Sequence, residues 1–187
     1  KKCMKKSVLI TGGAGFIGFY CADYFLTKNY GGMIFDNLSR KGSAENLKWL
    51  KKKWGKQFTF VNGDVVQDRK KLEAFVAKCD AVLHLAAQVA VTISVQNPHH
   101  DFLTNAQGTL HVLEAIRLSS NKPMMLYSST NKVYGNLEHA EVRLTDAGYR
   151  YPEFPVGVSE HTSVDFHSPY GCSKGAADQY VRDYARI

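Results

Sequence analysis

The sequence predicts a doubly wound α/β domain built on a parallel sheet with strand order 3-2-1-4-5. Three observations carry this reading. At 187 residues with 44% hydrophobic and 22% charged side chains, the chain has the size and composition of one soluble globular domain. Short apolar runs alternate with helix-periodic segments from residue 7 onward, the pattern of right-handed crossovers on a parallel sheet. A glycine-rich turn, TGGAGFIG (11–18), stands where the first strand meets the first helix.

The elements follow in order. SVLITGG (7–13) reads as a strand running into a turn, GFIGFYCADYFLTKN (15–29) as a helix, and GMIFDN (32–37) as the second strand. SAENLKWLKKKW (43–54) is a helix with Ser43 as its N-cap and Leu47, Leu50 and Trp54 on the inner face. FTFVNGD, from Phe58, is the third strand, and 68–78 forms the next helix. DAVLHLAA (80–87) is a buried strand. One long helix runs from Pro98, a residue suited to a first helical turn, to Ser119. PMMLYSST (123–130) is the fifth strand. The segment 135–167 carries Pro152, Pro155 and many turn residues, and reads as an irregular flap. The last helix starts at Ser168 and is still running at Ile187.

Composition narrows the function classes. No apolar run approaches the ~20 residues that span a bilayer, and KKCMKKSVLI leads directly into a strand without a signal-peptide layout, so a cytoplasmic protein away from membranes is expected. Cys3, Cys21, Cys79 and Cys172 are scattered, which predicts reduced thiols rather than a disulfide scaffold. The net charge of +7 rests on Lys1, Lys2, Lys5, Lys6 and on KWLKKKWGK (48–56). Such clusters attract nucleic acid, but an amphipathic helix with a solvated lysine face explains them, and no nucleic-acid partner is expected. The seven histidines lack the spacing of a zinc site, and no metal is assigned.

In an open parallel sheet the ligand sits at the carboxyl ends of the strands, where the glycines fall. Gly12 allows the tight turn, Gly15 lets the backbone approach a pyrophosphate at the helix N-terminus, and Gly18 permits close helix-to-strand packing. The spacing is G-x-x-G-x-x-G, not the commoner G-x-G-x-x-G. Asp36, at the end of the second strand and 18 residues beyond Gly18, is placed to accept hydrogen bonds from the adenosine ribose and to repel a 2′-phosphate. This predicts a Rossmann domain that binds NAD in preference to NADP. Arg40 stands near enough to hold a 2′-phosphate and complicates that choice. Asp64 and Val65 end the third strand beside the adenine, although Asp64 in N-G-D also reads as a plain turn residue.

SPYGCSKG (168–175) holds Tyr170 and Lys174 four apart, hence on one face of a helix. A phenol is a weak base at its ordinary pKa of about 10, but a neighbouring ammonium favours the phenolate. Thr130, at the end of the fifth strand, supplies a hydroxyl to orient a substrate alcohol. Y-x-x-x-K pairs are common as surface neighbours. After the glycine turn, Asp36 and a strand-end hydroxyl, the pair reads as catalytic, with Thr130, Tyr170 and Lys174 acting together.

TGGAGFIG, DNLSR, NGDV, HLAAQ, NAQGT, SSTNKVYG and SPYGCSK, in this order over nearly the whole chain, resemble the extended short-chain dehydrogenase/reductase family of nucleotide-sugar epimerases and dehydratases. The resemblance implies cofactor contacts from Gly12, Gly15, Phe16, Ile17, Gly18, Asp36, Asn37, Asp64, Val65, Leu85, Ala86, Ala87, Ser128, Tyr170 and Lys174, with Arg40 beside them. It implies that Asn105 orders the strand ends, and that a homo-oligomer forms through the helices from Pro98 and Ser168. Apolar spacing at Leu103, Leu110, Leu113 and Ile116 fits that contact, or equally a face packed on its own sheet. Family members that eliminate water or carbon dioxide carry an acid directly after the strand-end hydroxyl. Asn131 and Lys132 stand here instead, which favours an epimerase or a simple dehydrogenase. HLAAQVAVTISVQNPHHDF, SSTNKVYGNLE and DFHSPYGCSKGAADQYVRDYARI are most similar to the branch that acts on CDP-linked sugars, and imply NAD-dependent inversion at C2 of a dideoxy sugar. In the family about as much chain again carries further strands and most of the nucleotide-sugar pocket. The sequence is therefore read as one NAD-binding domain, 1–187, lacking the C-terminal strands and substrate-binding part.

Overall fold

The computed structural model describes residues 6–187. Five parallel strands, β1 (Ser7–Thr11), β2 (Gly31–Asp36), β3 (Phe58–Asn62), β4 (Ala81–His84) and β5 (Met124–Tyr127), form a sheet in the order β3-β2-β1-β4-β5. The order predicted from sequence is the order found. β1 is central because its apolar run can be buried on both faces, and it pairs Leu9 with Met33 on one side and with Val82 on the other.

Alternation along the strands builds two cores. Leu9, Met33 and Val82 face one way and pack with Leu72 and Val76 of α3 (Arg69–Val76) and Val112 and Ala115 of α6 (Gly108–Leu118). Val8, Ile10 and Ile34 face the other way, onto Ala22 of α1 (Phe16–Thr27) and Leu50 of α2 (Ser43–Trp54). In α2, Leu47 and Leu50 are buried and Trp54 half-buried beneath the exposed lysines. Lys53 bridges to Asp23 at 2.8 Å and lies over the rings of Trp49 and Trp54. Lys1, Lys2, Lys5 and Cys3 lie outside the described residues; Cys21, Cys79 and Cys172 are free thiols.

Several boundaries differ from the sequence reading. Ser43 is not the N-cap of α2: Gly42 holds that place at φ 90°, and Ser43 is the first, buried, helical residue. Val91–Gln96 forms a short helix, α4, beyond the elements read from sequence. The long helix from Pro98 is interrupted: α5 (Pro98–Phe102) passes through a π-helical turn at Leu103–Gln107 before α6 begins, and the helix ends at Leu118. There the Thr109 hydroxyl donates to the Asn105 carbonyl at 2.6 Å, competing with the helical ladder. The flap contains a small antiparallel hairpin, β6 (Arg143–Thr145) with β7 (Gly148–Arg150), closed by Gly148 at φ 97°. The last helix, α7 (Ser168–Tyr184), ends at Tyr184 rather than running to Ile187. Ile116 packs on the first core and so serves its own sheet, whereas Leu113 is buried without belonging to either core cluster. No described helix is long and apolar enough to cross a membrane.

Candidate functional site

A crevice of about 410 Å³ opens at the carboxyl ends of the strands, within the usual size of a small-ligand site. At one end lies the glycine turn. Gly12 has φ +67°, and a Cβ there would come within 2.8 Å of the Ala86 nitrogen; a Cβ at Gly18 would come within 2.2 Å of the Gly12 oxygen. Only glycine lets the two chain segments approach so closely. Gly15 precedes α1 with no side-chain cap, and no acidic residue occupies the first turn. Gly15, Phe16 and Ile17 line the crevice, so the positive end of the helix is directed to a ligand rather than to a capping side chain. The cradle fits a pyrophosphate.

Asp36 is buried at the end of β2. One oxygen accepts the Ala14 N–H at 3.0 Å and the other the Leu38 N–H at 2.8 Å, which fixes the carboxylate against the glycine turn. Its remaining lone pairs are free for ribose hydroxyls. Asn37 donates to Asp64 at 2.7 Å across the ends of β2 and β3, while the other Asp64 oxygen accepts from Val66 N–H at 2.7 Å. Asp64 is thus both turn residue and crevice wall. Arg40 lines the same end and is exposed.

The other end is made by β5 and α7. Ser128, Ser129, Tyr170 and Lys174 line it. Tyr170 is half-buried, and its backbone N–H donates to Ser94 Oγ at 3.2 Å. Lys174 is 4% exposed; its ammonium donates to the Ser128 carbonyl and lies 4.1 Å from the centre of the Tyr127 ring. Burial lowers its pKa to about 8, against an upward pull from Asp178 and Asp101. Thr130 is not among the lining residues: it caps a short 3₁₀ turn, Asn131–Tyr134, by accepting the Lys132 N–H at 3.3 Å. That bond leaves its own proton free to donate.

Between the ends run Leu85, Ala86, Ala87 and Gln88, which the sequence reading reached only as far as Ala87. Asn105 does not line the crevice. It is 1% exposed, with its oxygen accepting the Gln88 N–H at 2.8 Å and its amide donating to the Gln88 carbonyl at 3.0 Å. It is bonded to the segment after β4 from behind the crevice. Beside it His84 is buried between Thr11 Oγ1 at 2.6 Å and Thr109 Oγ1 at 3.0 Å. Thr109 gives its proton to the Asn105 carbonyl, so His84 Nε2 donates to Thr109 and Nδ1 accepts from Thr11. The Thr11 oxygen is left to accept the backbone N–H groups of Leu85 and Ala86, both at 3.3 Å. Burial, then the charge of Lys174, lower the His84 pKa to about 3. Sequence reasoning missed Gln88, His84 and Ser94. A histidine inside the apolar run DAVLHLAA was the one available signal.

The fold and the crevice define a Rossmann-type α/β protein with its ligand site at the strand ends. A family model described as GDP-mannose 4,6 dehydratase matches residues 9–187, and the chain belongs to that family. It is 48% identical over 182 residues to the CDP-paratose 2-epimerase of Salmonella typhi, covering 96% of this chain and 53% of the relative. It is 36% identical to the UDP-glucose 4-epimerase of Erwinia amylovora, over 96% of this chain and 49% of that protein. Among solved structures, the UDP-Glc/GlcNAc 4-epimerase of Campylobacter jejuni matches with TM-score 0.79 at 30% identity, over 97% of this chain and 49% of the other. The UDP-glucose 4-epimerase of Thermus thermophilus, solved in complex with NAD, matches with TM-score 0.76 at 30% identity, over 96% and 51%. The chain therefore spans about half the length of the relatives it matches.

Proposed function

We propose that this chain is the NAD-binding domain of a nucleotide-sugar epimerase, and that the sugar is CDP-paratose, inverted at C2 to CDP-tyvelose. The observation that carries the reading is that Tyr170 and Lys174, one helical turn apart, line the same crevice as Asp36 and the glycine turn. The identity to a CDP-paratose 2-epimerase supports the choice of sugar. Asn131 and Lys132, with no acid after Thr130, favour epimerisation over dehydration.

Bound NAD would supply the acceptor, and then the donor, of a hydride. Gly12, Gly15, Phe16, Ile17 and Gly18 would hold its pyrophosphate, with Asp36 and Asn37 on the adenosine ribose and Asp64 and Val65 beside the adenine. Leu85, Ala86, Ala87 and Ser128 would complete the wall. Asp36 selects NAD by repelling a 2′-phosphate, which Arg40 opposes. Lys174 binds the nicotinamide ribose hydroxyls and favours the phenolate of Tyr170. Tyr170 then takes the proton of the sugar hydroxyl as the carbon is oxidised, and returns it after the keto sugar has turned over. Thr130, with its proton free, orients the same hydroxyl. We further propose a homodimer through the Pro98–Leu118 and α7 helices, which Tyr184 links by its bond to Glu114 at 2.7 Å and which expose Phe102 and Tyr180. Sedimentation as a monomer at micromolar concentration would remove that part.

The test is titration with NAD and NADP beside turnover of a CDP-linked sugar. NAD binds more tightly, and in the complete enzyme Tyr170→Phe abolishes turnover while NAD affinity is kept. Wild-type turnover by that variant refutes the mechanism.

A further inference from the structure

Asp101, in the first turn of α5, is wholly buried and forms no ion pair among the described residues. A carboxylate is costly in such a place unless its oxygens are bonded. One accepts from Gln88 Nε2 at 2.9 Å and from Asn105 Nδ2 at 3.2 Å; the other accepts from the Ser173 hydroxyl. The three partners are all donors, the pattern an ionised carboxylate satisfies. They also sit on three different elements. Gln88 belongs to the crevice wall, Asn105 to the π turn, and Ser173 is the residue before Lys174 on α7.

The ammonium of Lys174 meets only neutral groups at close range, the Ser128 carbonyl and the Tyr127 ring. Around it stand Asp178 and Tyr170 from its own helix, neutral His84 from β4, Tyr127 from β5 and Asp101 from α5. We infer that Asp101 is a positioning residue that pins the last helix through Ser173 and supplies the buried negative charge facing Lys174. Asp178, one turn further along the same helix face, shares the second task but is only half-buried and has no hydrogen bond to the crevice wall among the described residues, so it does not fix the helix there. The upward pull of Asp101 on the lysine agrees with this geometry.

Competitive acylation of lysines across pH, read at the Lys174 peptide by mass spectrometry on the full chain, tests the charge without any ligand. The wild-type midpoint falls near 8. Asp101→Asn keeps the shape and moves the midpoint down by at least about half a unit, roughly a threefold rise in labelling at a fixed pH below it. Ser173→Ala keeps the carboxylate, so its midpoint stays in place, while amide exchange across the first turns of α7 quickens several-fold. A folded Asp101→Asn protein with wild-type titration of Lys174 overturns the electrostatic role. Ser173→Ala without faster exchange overturns the positioning role, and does so even if Asp101→Asn fails to fold. The assignment builds on the role of Lys174 proposed above, yet a chain that binds no NAD defeats only that functional reading and leaves both readouts standing.

Discussion

The two ends of the crevice are built on opposite principles. At the β1–β3 end the recognition groups are parts of the fold: Asp36 accepts two backbone N–H groups, Asn37 and Asp64 are bonded to each other, and the glycines leave no room for a side chain. At the β5–α7 end the two groups proposed to react are carried on one helix and held in different ways: Tyr170 is anchored through its backbone N–H, while the Lys174 ammonium donates to the Ser128 carbonyl and Ser173 beside it is bonded to Asp101. A binding end can be rigid because its ligand is always the same. At the end proposed for the chemistry the Tyr170 phenol has no hydrogen bond among the described residues, so much of the order there comes from behind.

Stability measurements separate the two ends. The largest effect belongs to Gly18→Ala, whose Cβ would meet the Gly12 oxygen at 2.2 Å. We expect a loss of about 3 kcal/mol or failure to fold, read by thermal unfolding, because backbone cannot yield as a side-chain tip can. Next is acid. The folded-state pKa of His84 lies near 3, below its ordinary value of 6.5. The unfolded chain therefore binds the extra proton between these values, and stability falls as pH drops through that window. His84→Gln flattens this dependence; an unchanged slope in a folded variant contradicts the burial argument.

Lys174 gives a smaller effect of the same sense in a higher window. Its folded-state pKa of about 8 lies below the ordinary 10.5, so the unfolded chain holds more protons between them and stability rises with pH there. Lys174→Met removes that rise and stabilises the fold below pH 8, yet weakens NAD binding. A Met variant less stable than wild type would show that the ammonium is a structural prop. Asp36→Ala leaves the buried Ala14 N–H without an acceptor and costs about 1–3 kcal/mol, with loss of the preference for NAD over NADP. Retained preference would hand selection to other groups, Arg40 included. Smallest of all is Tyr170→Phe, under about 0.5 kcal/mol in unfolding, because the half-buried ring keeps its packing. A large destabilisation there would erase the contrast between the ends.

How far the sequence reached follows the same division. Strand order, the buried face of α2 and the glycine–Asp36 turn were legible because each rests on local signals: apolar period, glycine spacing, and the residue type at a strand end. The Tyr170–Lys174 face was legible because i, i+4 adjacency follows from a helix alone. Where sequence reasoning stopped, the determinants were long-range. Ser43 lost the cap to a glycine whose positive φ depends on the preceding loop, and the π turn depends on how Asn105 and Thr109 sit against β4. The fifth strand stops at Tyr127 rather than at Thr130, which caps the following 3₁₀ turn and stands outside the crevice lining, its hydroxyl accepting the Lys132 N–H. Asp101 reads in sequence as an ordinary polar residue of a helix. Its meaning arises only when folding brings Ser173, 72 residues away, to its carboxylate and closes it off from water. The sequence alone determined where the crevice opens and which two groups share a face; only tertiary structure decided what holds those groups. Buried polar contacts are chosen by geometry across the whole chain and leave no period behind.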